Sequence, residues 1–565
     1  MIKKLIFIII FLLFFLFIAY IIFLPIYSSN NIIIDYGLTT YNICEVQPVL
    51  WKNIKILFIF LYLFSLIIFL NLIFNYLFKF NKKINKSNSS SIDFNNLNLY
   101  LGTNNKKNKI YIPEKGLYQN ILITGTIGSG KTSSAIYPFC NQLINYNKLN
   151  NKKKLGMLIL DVKGNLHHKI KELCISSNRL QDYIVIELGG KYKYNPLDKP
   201  QLKPSVLANR LKTILLLFSS NNSESYWIDK AEQLLCETIK LCRLYNNNYV
   251  TFEEIHKLIS NQDYYKEKIN ILRKKFLENL FTKEDCYNLL TALDFYEKEF
   301  LQLDTRTFSI LKSEITRITN CFISDYKVLK TFNPVKKEIN LNNLSEIIKS
   351  GKIIVLNMNI AEYKNLAKII AAYLKLDFQT EILSLLSKKN NYNHRTTCFI
   401  CDEYHEFVTA TDADFFAQSR EAKCINIVAT QSYTSLLNTL NNQNNVKVIV
   451  QNLINKLWFR TDDIFTIEEA QKQIGKEDKE KISKNISENA KETKYNYFTH
   501  CLNSKNSTIS ESINSYFQHD YIFDTNFFTQ DLETFSCLSF LSDGQKILHP
   551  EKIYLEPFFK KGEKS

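Results

Sequence analysis

The sequence predicts an α/β fold with a mostly parallel sheet, on three observations. Short apolar runs recur between longer amphipathic stretches, a glycine-rich bend stands between one such run and a helical pattern, and another run ends in two adjacent acids. The runs are Asn120–Thr124, Met157–Asp161, Tyr183–Glu187, Ile353–Asn357, Thr397–Asp402 and Ile425–Thr430. Strands covered on both faces need apolar side chains at nearly every position, which is how parallel strands read. Helical patterns over Thr132–Leu143 and Lys364–Ser387 supply crossovers. Between about Pro204 and Asn343 the apolar spacing changes to three and four, as in Trp227, Ala231, Leu234, Leu235 and Ile239, and predicts an all-helical insertion over 204–343. The Lys/Glu/Asn-rich stretch from Ile464 to about Asn514 is expected to be a surface helix and loop. Strand-like segments return at Phe535–Leu541 and Lys546–Leu555. No internal repeat is visible.

Composition bounds the function. The chain has 565 residues, 46% hydrophobic and 22% charged, too apolar for a disordered polymer. Its 14 glycines and 10 prolines exclude a collagen-like chain. Twelve cysteines in 565 residues are too sparse for a disulfide scaffold, so reduced and mostly buried thiols are expected. The formal charge of +16 points to a polyanion or a membrane surface as partner.

Leu5 to Pro25 and Ile56 to Leu77 are long enough, at about 1.5 Å per residue, to cross a hydrocarbon layer of roughly 30 Å. They predict a transmembrane hairpin over 1–79, with helices at about 5–25 and 56–77 joined by a short loop through Trp51. Lys3 and Lys4 before the first run, and Lys79, Lys82, Lys83 and Lys86 after the second, place both outer ends in the cytoplasm. The expected location is therefore the cell membrane, with two spans and both termini cytoplasmic. A cleaved signal peptide is the alternative for the first run, which is long for a signal core and lacks a small-residue cleavage pattern. Residues 80–109 are polar and read as a linker.

The strongest local signal is Gly125-Thr126-Ile127-Gly128-Ser129-Gly130-Lys131-Thr132, which matches G-x-x-x-x-G-K-[ST] and follows Ile121-Leu122-Ile123-Thr124. Glycines let successive backbone N–H groups turn inward onto phosphate oxygens, and the helix N-terminus adds partial positive charge. Lys131 reaches the β- and γ-phosphates of ATP, and the Thr132 hydroxyl ligates Mg²⁺. Such a bend needs an acidic partner, and Thr396-Thr397-Cys398-Phe399-Ile400-Cys401-Asp402-Glu403 supplies it: Asp402 for the Mg²⁺ shell and Glu403 as the general base on water. Residues 110–203 and 344–565 then form two parts of one nucleotide-binding domain, interrupted by the helical insertion.

Cys398 and Cys401 form a C-x-x-C with no second Cys/His pair at finger-like spacing, and strand geometry sends them to opposite faces, against zinc. His167 and His168 are expected to be solvated. Leu541-Ser542-Asp543-Gly544-Gln545 resembles the signature string of ABC transporter ATPases, but it lies far beyond Asp402 and reads as a turn between two strands.

The order of these features resembles the coupling proteins of type IV secretion systems, the TraG/TraD-like P-loop ATPases with a RecA-like domain. The resemblance rests on the N-terminal hairpin, Gly125–Thr132, Asp161-Val162-Lys163-Gly164, Tyr194-Asn195-Pro196-Leu197, Tyr226-Trp227 in the helical insertion, Asp402-Glu403 and Ala429-Thr430-Gln431-Ser432. The family commonly has Pro and an acid where this chain has Val162 and Asn165. The resemblance implies that the strand ending in Gln431 lies between the P-loop and acidic strands, where Gln431 senses the γ-phosphate. It implies Arg420 as an arginine finger on a neighbouring subunit's phosphate, with Arg460 a second candidate. It further implies a membrane-anchored ATPase, a homo-hexameric ring that moves single-stranded DNA without reading sequence, with the attached DNA-processing relaxase, into the secretion channel. The alternatives are a membrane-tethered chromosome or plasmid segregation translocase, the assembly ATPase of the same apparatus, and a nucleotide-gated receptor that does not hydrolyse ATP.

Overall fold

The computed structural model describes residues 33–35, 40–42, 47–57, 59–60 and 96–558, apart from 162, 219–224, 342–343, 345–349, 387–394, 490–493, 498–500 and 504–507. The chain divides into a unit of residues 1–92 and one of residues 93–565. In the first unit β1 (Ile33–Asp35) pairs antiparallel with β2 (Thr40–Asn42). Helix covers residues 48–57 and 59–60, so Trp51 lies on a helix instead of in the expected loop.

The expected membrane location is corrected. Among the described residues no helix is long and apolar enough to cross a membrane. The span expected at about 5–25 lies outside the described residues, as does most of that expected at 56–77.

In the second unit the strands are β3 (Leu99–Asn104), β4 (Lys109–Ile112), β5 (Ile121–Thr124), β6 (Gly156–Leu160), β7 (Tyr183–Glu187), β8 (Ile353–Asn357), β9 (Thr397–Cys401), β10 (Cys424–Thr430) and β11 (Asn455–Phe459). They are followed by β12 (Lys476–Asn489), β13 (Lys494–Asn496), β14 (Cys501–Asn503), β15 (Thr508–Tyr521), β16 (Ser536–Phe540) and β17 (Glu551–Tyr554). Eleven of them form one sheet in the order β4-β3-β17-β16-β11-β5-β10-β9-β6-β8-β7. From β11 to β7 every neighbouring pair is parallel, and from β16 to β4 every pair is antiparallel. The apolar runs explain the arrangement: alternate residues of one strand feed two cores. Leu122 joins one cluster while Ile121 and Ile123 join the other, and Cys401 and Cys398 divide in the same way. The described cysteines are free thiols.

The helices are α1 (Tyr137–Asn145) and α2 (Leu166–Ser176), then α3 (Pro204–Leu216), α4 (Ser225–Tyr245), α5 (Phe252–Ser260), α6 (Gln262–Leu277), α7 (Lys283–Asp294), α8 (Thr305–Ile323) and α9 (Tyr326–Phe332). After β8 come α10 (Ile360–Ser384), α11 (Asp412–Gln418), α12 (Tyr433–Leu440), α13 (Gln443–Asn452) and α14 (Ile464–Ile474). Side-chain caps explain several starts. Thr251 receives the Glu254 N–H, Asp304 receives those of Arg306 and Thr307, and Thr282 with Asp285 forms a reciprocal capping box.

Two further expectations change. The supposed linker over 80–109 contains β3 and the first residue of β4, because Leu97, Leu99 and Leu101 alternate into the core amid Asn-rich neighbours. The stretch after α14, expected as helix and loop, is a long antiparallel hairpin of β12 with β15. Its register puts Ile482 opposite Ser515, Lys484 opposite Ile513, and Glu480 opposite Phe517, a period of two that the charged composition hides. The segment around Asp543-Gly544 is a turn as expected: Ser542 bridges Ile547, and Gly544 has φ +95°.

The helical insertion is fastened to the sheet by a buried charge cluster. Asp377 on α10 is fully buried and takes Lys199 at 2.7 Å, Arg210 of α3 at 3.0 Å and the Tyr194 hydroxyl at 2.8 Å. Burial pushes its pKa up, but Lys199 and Arg210 outweigh that and hold it below the usual carboxylate range. Removing this charge strands two buried cations. Asp377→Asn is expected to cost about 3–5 kcal/mol in denaturant unfolding monitored at pH 7. The wild-type advantage should persist above the ordinary Asp pKa and disappear as pH falls through the depressed folded value.

Candidate active site

The glycine-rich bend leaves β5 at the C-terminal edge of the parallel strands and is tied on both sides. The Gly125 N–H donates to the Gln431 carbonyl at 3.1 Å, and the Thr126 N–H donates to that of Arg460 at 2.9 Å. Gly128 and Gly130 take φ +78° and +96°, where a side chain is strained. At Gly130 a Cβ would also come within 2.5 Å of the Phe535 ring. The chain then enters a π-helical turn, Thr132–Ile136, that runs into α1.

Lys131 is 7% exposed; its Nζ donates to the Gly125 carbonyl and, at 3.1 Å, to that of Thr126. Burial lowers its pKa from the ordinary lysine value, while Glu403 and Asp402 act to raise it. The Thr132 hydroxyl donates to Asp402 Oδ2 at 2.8 Å. Asp402 directly follows β9 and is 3% exposed; burial raises its carboxyl pKa, opposed by the Thr132 hydrogen bond.

Glu403 sits in the left-handed region at φ 49° and ψ 47°, which turns its side chain out of the strand's alternation and back to the cleft. Two neighbours hold its carboxylate, Lys163 Nζ at 3.3 Å and Gln431 Nε2 at 3.3 Å, and His405 Nδ1 stands 3.8 Å off. Burial depresses the His405 pKa, against the pull of Glu403 and Glu406, so the ring is largely neutral at pH 7. Its Nδ1 lies 3.2 Å from the Thr430 hydroxyl.

The strained position is locked from behind by a second buried charge cluster. Lys375 of α10 bonds Asp412 Oδ2 and the Phe407 carbonyl, each at 2.6 Å, and Asp412 also accepts from the Tyr404 hydroxyl and from Gln379 Nε2 at 2.8 Å. The residue after Glu403 is thereby anchored to a helix beneath the sheet.

Thr126, Ile127, Gly128, Lys131, Thr132, Lys163, Asp402 and Glu403 are among the residues that line one cleft of about 320 Å³. Ser129 supports its rim, donating from its hydroxyl to the Thr126 carbonyl at 2.8 Å. The donor set fits a nucleotide triphosphate with a hard divalent cation. A hydroxyl and a carboxylate stand side by side for the metal, and an ammonium and a main-chain bend are available for phosphate.

Gln431 is brought to this cleft because β10 pairs with β5 on one side and β9 on the other. Arg420 is not. It is exposed in the turn before β10, at the strand end away from the cleft, and a seven-residue strand at about 3.3 Å per residue separates the two ends by roughly 20 Å. Arg460 abuts the bend through its main chain, since its carbonyl also accepts from the Thr126 hydroxyl at 3.1 Å. Sequence reasoning missed Lys163 and His405. The signal for Lys163 was its Asp-Val-Lys-Gly turn: Asp161 accepts the N–H groups of Lys163, Asn165 and Leu166, each at 3.1 Å, and this hooks the turn toward β9, the neighbour of β6. His405 carried no signal beyond adjacency to the acids.

Residues 316–515 match the family model of the type IV secretion-system coupling protein DNA-binding domain. No curated protein sequence matches the chain. Among solved structures, the unbound bacterial conjugative coupling protein TrwBdeltaN70 aligns with a TM-score of 0.51 at 12% identity, over 81% of this chain and 89% of that one. The plasmid coupling protein TrwB in complex with ADP and Mg²⁺ aligns with a TM-score of 0.50 at 12% identity, over 80% and 88%. TrwB with the non-hydrolysable ATP analogue ADPNP gives the same score and identity over 80% and 89%. At this identity the structures speak for the fold, a mostly parallel RecA-like sheet. The resemblance to the type IV secretion-system coupling proteins that the sequence motifs carry therefore stands, in the family match over residues 316–515 and in the fold.

Proposed function

We propose that this chain is an ATPase of the coupling-protein kind, which uses hydrolysis to move DNA toward a type IV secretion channel. The observation that carries the reading is the 2.8 Å hydrogen bond from the Thr132 hydroxyl to Asp402, with Lys131 and Glu403 lining the same cleft. Thr132 and Asp402 would hold Mg²⁺, which neutralises charge on the β- and γ-phosphates. Gly125–Thr132 supplies the phosphate cradle, and Lys131 the cation opposite the γ-phosphate. Glu403, aimed by Lys163 and Gln431, takes a proton from the water that attacks the γ-phosphorus, while the bond to the bridging oxygen breaks and ADP leaves. Gln431 sits against Glu403 and is suited to register whether the γ-phosphate is present.

Arg420 acts, on this reading, in the cleft of an adjacent subunit, which requires a ring; six copies is the arrangement the family resemblance implies. The +16 charge and the DNA-binding family match over 316–515 support a DNA strand as cargo, held by its phosphates without sequence readout. The relaxase bound to that strand would travel with it.

Phosphate release by the full chain, with and without single-stranded DNA, tests this. Lys131→Ala is expected to abolish release and DNA transfer. Glu403→Gln should retain ATP binding while kcat falls about 10²- to 10⁴-fold; ATP binding with no DNA-stimulated release in the wild type would leave a nucleotide-gated receptor instead. Arg420→Ala is expected to be inactive alone, and to regain part of the activity when mixed with Glu403→Gln chains, because some boundaries then hold both intact groups. No recovery in well-mixed oligomers removes Arg420 from the neighbouring site.

A further inference from the structure

Five lysines are buried among the described residues: Lys131, Lys154, Lys199, Lys375 and Lys456. Three are neutralised by carboxylates, Lys154 by Asp182 at 2.7 Å, Lys199 by Asp377 at 2.7 Å and Lys375 by Asp412 at 2.6 Å. Lys131 is seated on carbonyls of the glycine-rich bend. Lys456, at the second position of β11 and 1% exposed, has no hydrogen-bond or ion-pair partner among the described residues. Its Nζ lies 5.7 Å from the centre of the Phe540 ring.

An unpaired ammonium in such a place is costly, and proteins normally supply a counter-charge. What Lys456 faces is a cleft of about 380 Å³ between β11 and the helices α12, α13 and α14. The walls are Tyr433, Val446, Val450 and Phe465, and none of its lining residues lines the nucleotide cleft. The charged groups on its rim are Lys447 of α13 with Glu469 and Lys472 of α14; Glu469 is engaged by both lysines, at 3.9 and 3.4 Å, Lys472 also pairs with Glu468 at 3.3 Å, and Gln451 and Gln473 complete the lining. The Tyr433 hydroxyl accepts the Trp458 indole N–H at 3.0 Å, and β16 contributes Phe540 opposite Lys456. The cleft thus offers apolar and aromatic walls with two glutamines, one unpaired buried amine at the floor and a mouth whose lysines are already paired with Glu468 and Glu469.

We infer that this cleft binds a small apolar carboxylate, its carboxylate seated on the Lys456 amine. The single buried cation matches one negative charge. A phosphate dianion would bring a second charge with no second buried, unpaired cation in the cleft to meet it. The size, the apolar and aromatic walls and a single buried charged group beside a few polar side chains are those of a small-molecule site. Burial also holds the free amine at a pKa of about 7, so seating a carboxylate above neutrality requires proton uptake.

Calorimetric titration of the full chain with benzoate, and separately with inorganic phosphate, tests this. Benzoate is expected to bind, to weaken about tenfold per pH unit above pH 7, and at pH 8 to give a heat that varies with the buffer's ionisation enthalpy. Phosphate should bind more weakly. Lys456→Met should lose benzoate binding and melt at a higher temperature than wild type, with the larger gap at pH 6 than at pH 9, since only the lower pH charges the buried amine. Val450→Trp keeps the amine and fills the cleft, so it should lose benzoate binding too; it decides the matter if Lys456→Met does not fold. Absence of benzoate binding to wild type at millimolar concentration, unchanged binding in either variant, or phosphate binding as tight as benzoate overturns the inference.

Discussion

The nucleotide cleft depends on one constraint of sheet order: β10 runs parallel between β5 and β9. Thr430 pairs with Thr124, so the residue after each strand is at the same edge, and Cys401 ends one strand over. Gln431 therefore closes the start of the bend through its carbonyl and touches Glu403 through its amide, so one residue contacts both halves of the site. With the strands out of this order, the Thr132 hydroxyl could not reach Asp402. Parallel strands set this edge by backbone register alone, so the chemistry is positioned before any side chain contributes.

Side chains then hold what the backbone places. Two fully buried carboxylates do this from the same helix layer: Asp377 of α10, and Asp412, which is held by Lys375 of α10. The first joins the helical insertion to α10, and the second joins α10 to the loop that carries Glu403 and Tyr404. Helix α10 is thus the shared element between the insertion and the acidic edge. Such clusters add little net stability compared with an apolar core, since desolvation offsets attraction. Their value is geometric, because each charge has one low-energy arrangement, and Glu403 needs that fixity to remain at a positive φ.

Much of the parallel sheet was legible because strands buried on both faces spell themselves out: Tyr183–Glu187 and Ile353–Asn357 carry the same bounds in sequence and structure. The bend, Asp402, Glu403 and Gln431 could be read because each follows a strand directly. Edge strands escaped notice where apolar residues alternate with Asn and Lys, as at Leu97, Leu99 and Leu101, and so did the hairpin of β12 and β15, where Ile482, Ile486 and Ile513 are exposed. Lys163, despite its Asp-Val-Lys-Gly turn, and His405 were missed for another reason. Their positions depend on which strands are neighbours, a long-range fact that no local spacing reports. The hook of the turn does not depend on the Asn165 side chain, since Asp161 makes it through the main-chain N–H groups of Lys163, Asn165 and Leu166.

The distribution of cations around Glu403 has a consequence for how the cleft can work. Within one chain the positive groups at the cleft are Lys131, buried beneath the bend, and Lys163, whose side chain is 56% exposed and reaches Glu403 from the solvent side. Lys163 thus covers the carboxylate on the side open to water, and opposes desolvation with an ion pair that water partly screens. Arg420, roughly 20 Å away along β10, cannot compete for this position in its own chain. A cation delivered across a subunit boundary would meet a cleft whose catalytic carboxylate is already paired. Such a cation would add charge where phosphate builds it, while Lys163 keeps Glu403 aimed. On the reading proposed above, this division of labour between a cis and a trans cation would make hydrolysis sensitive to assembly.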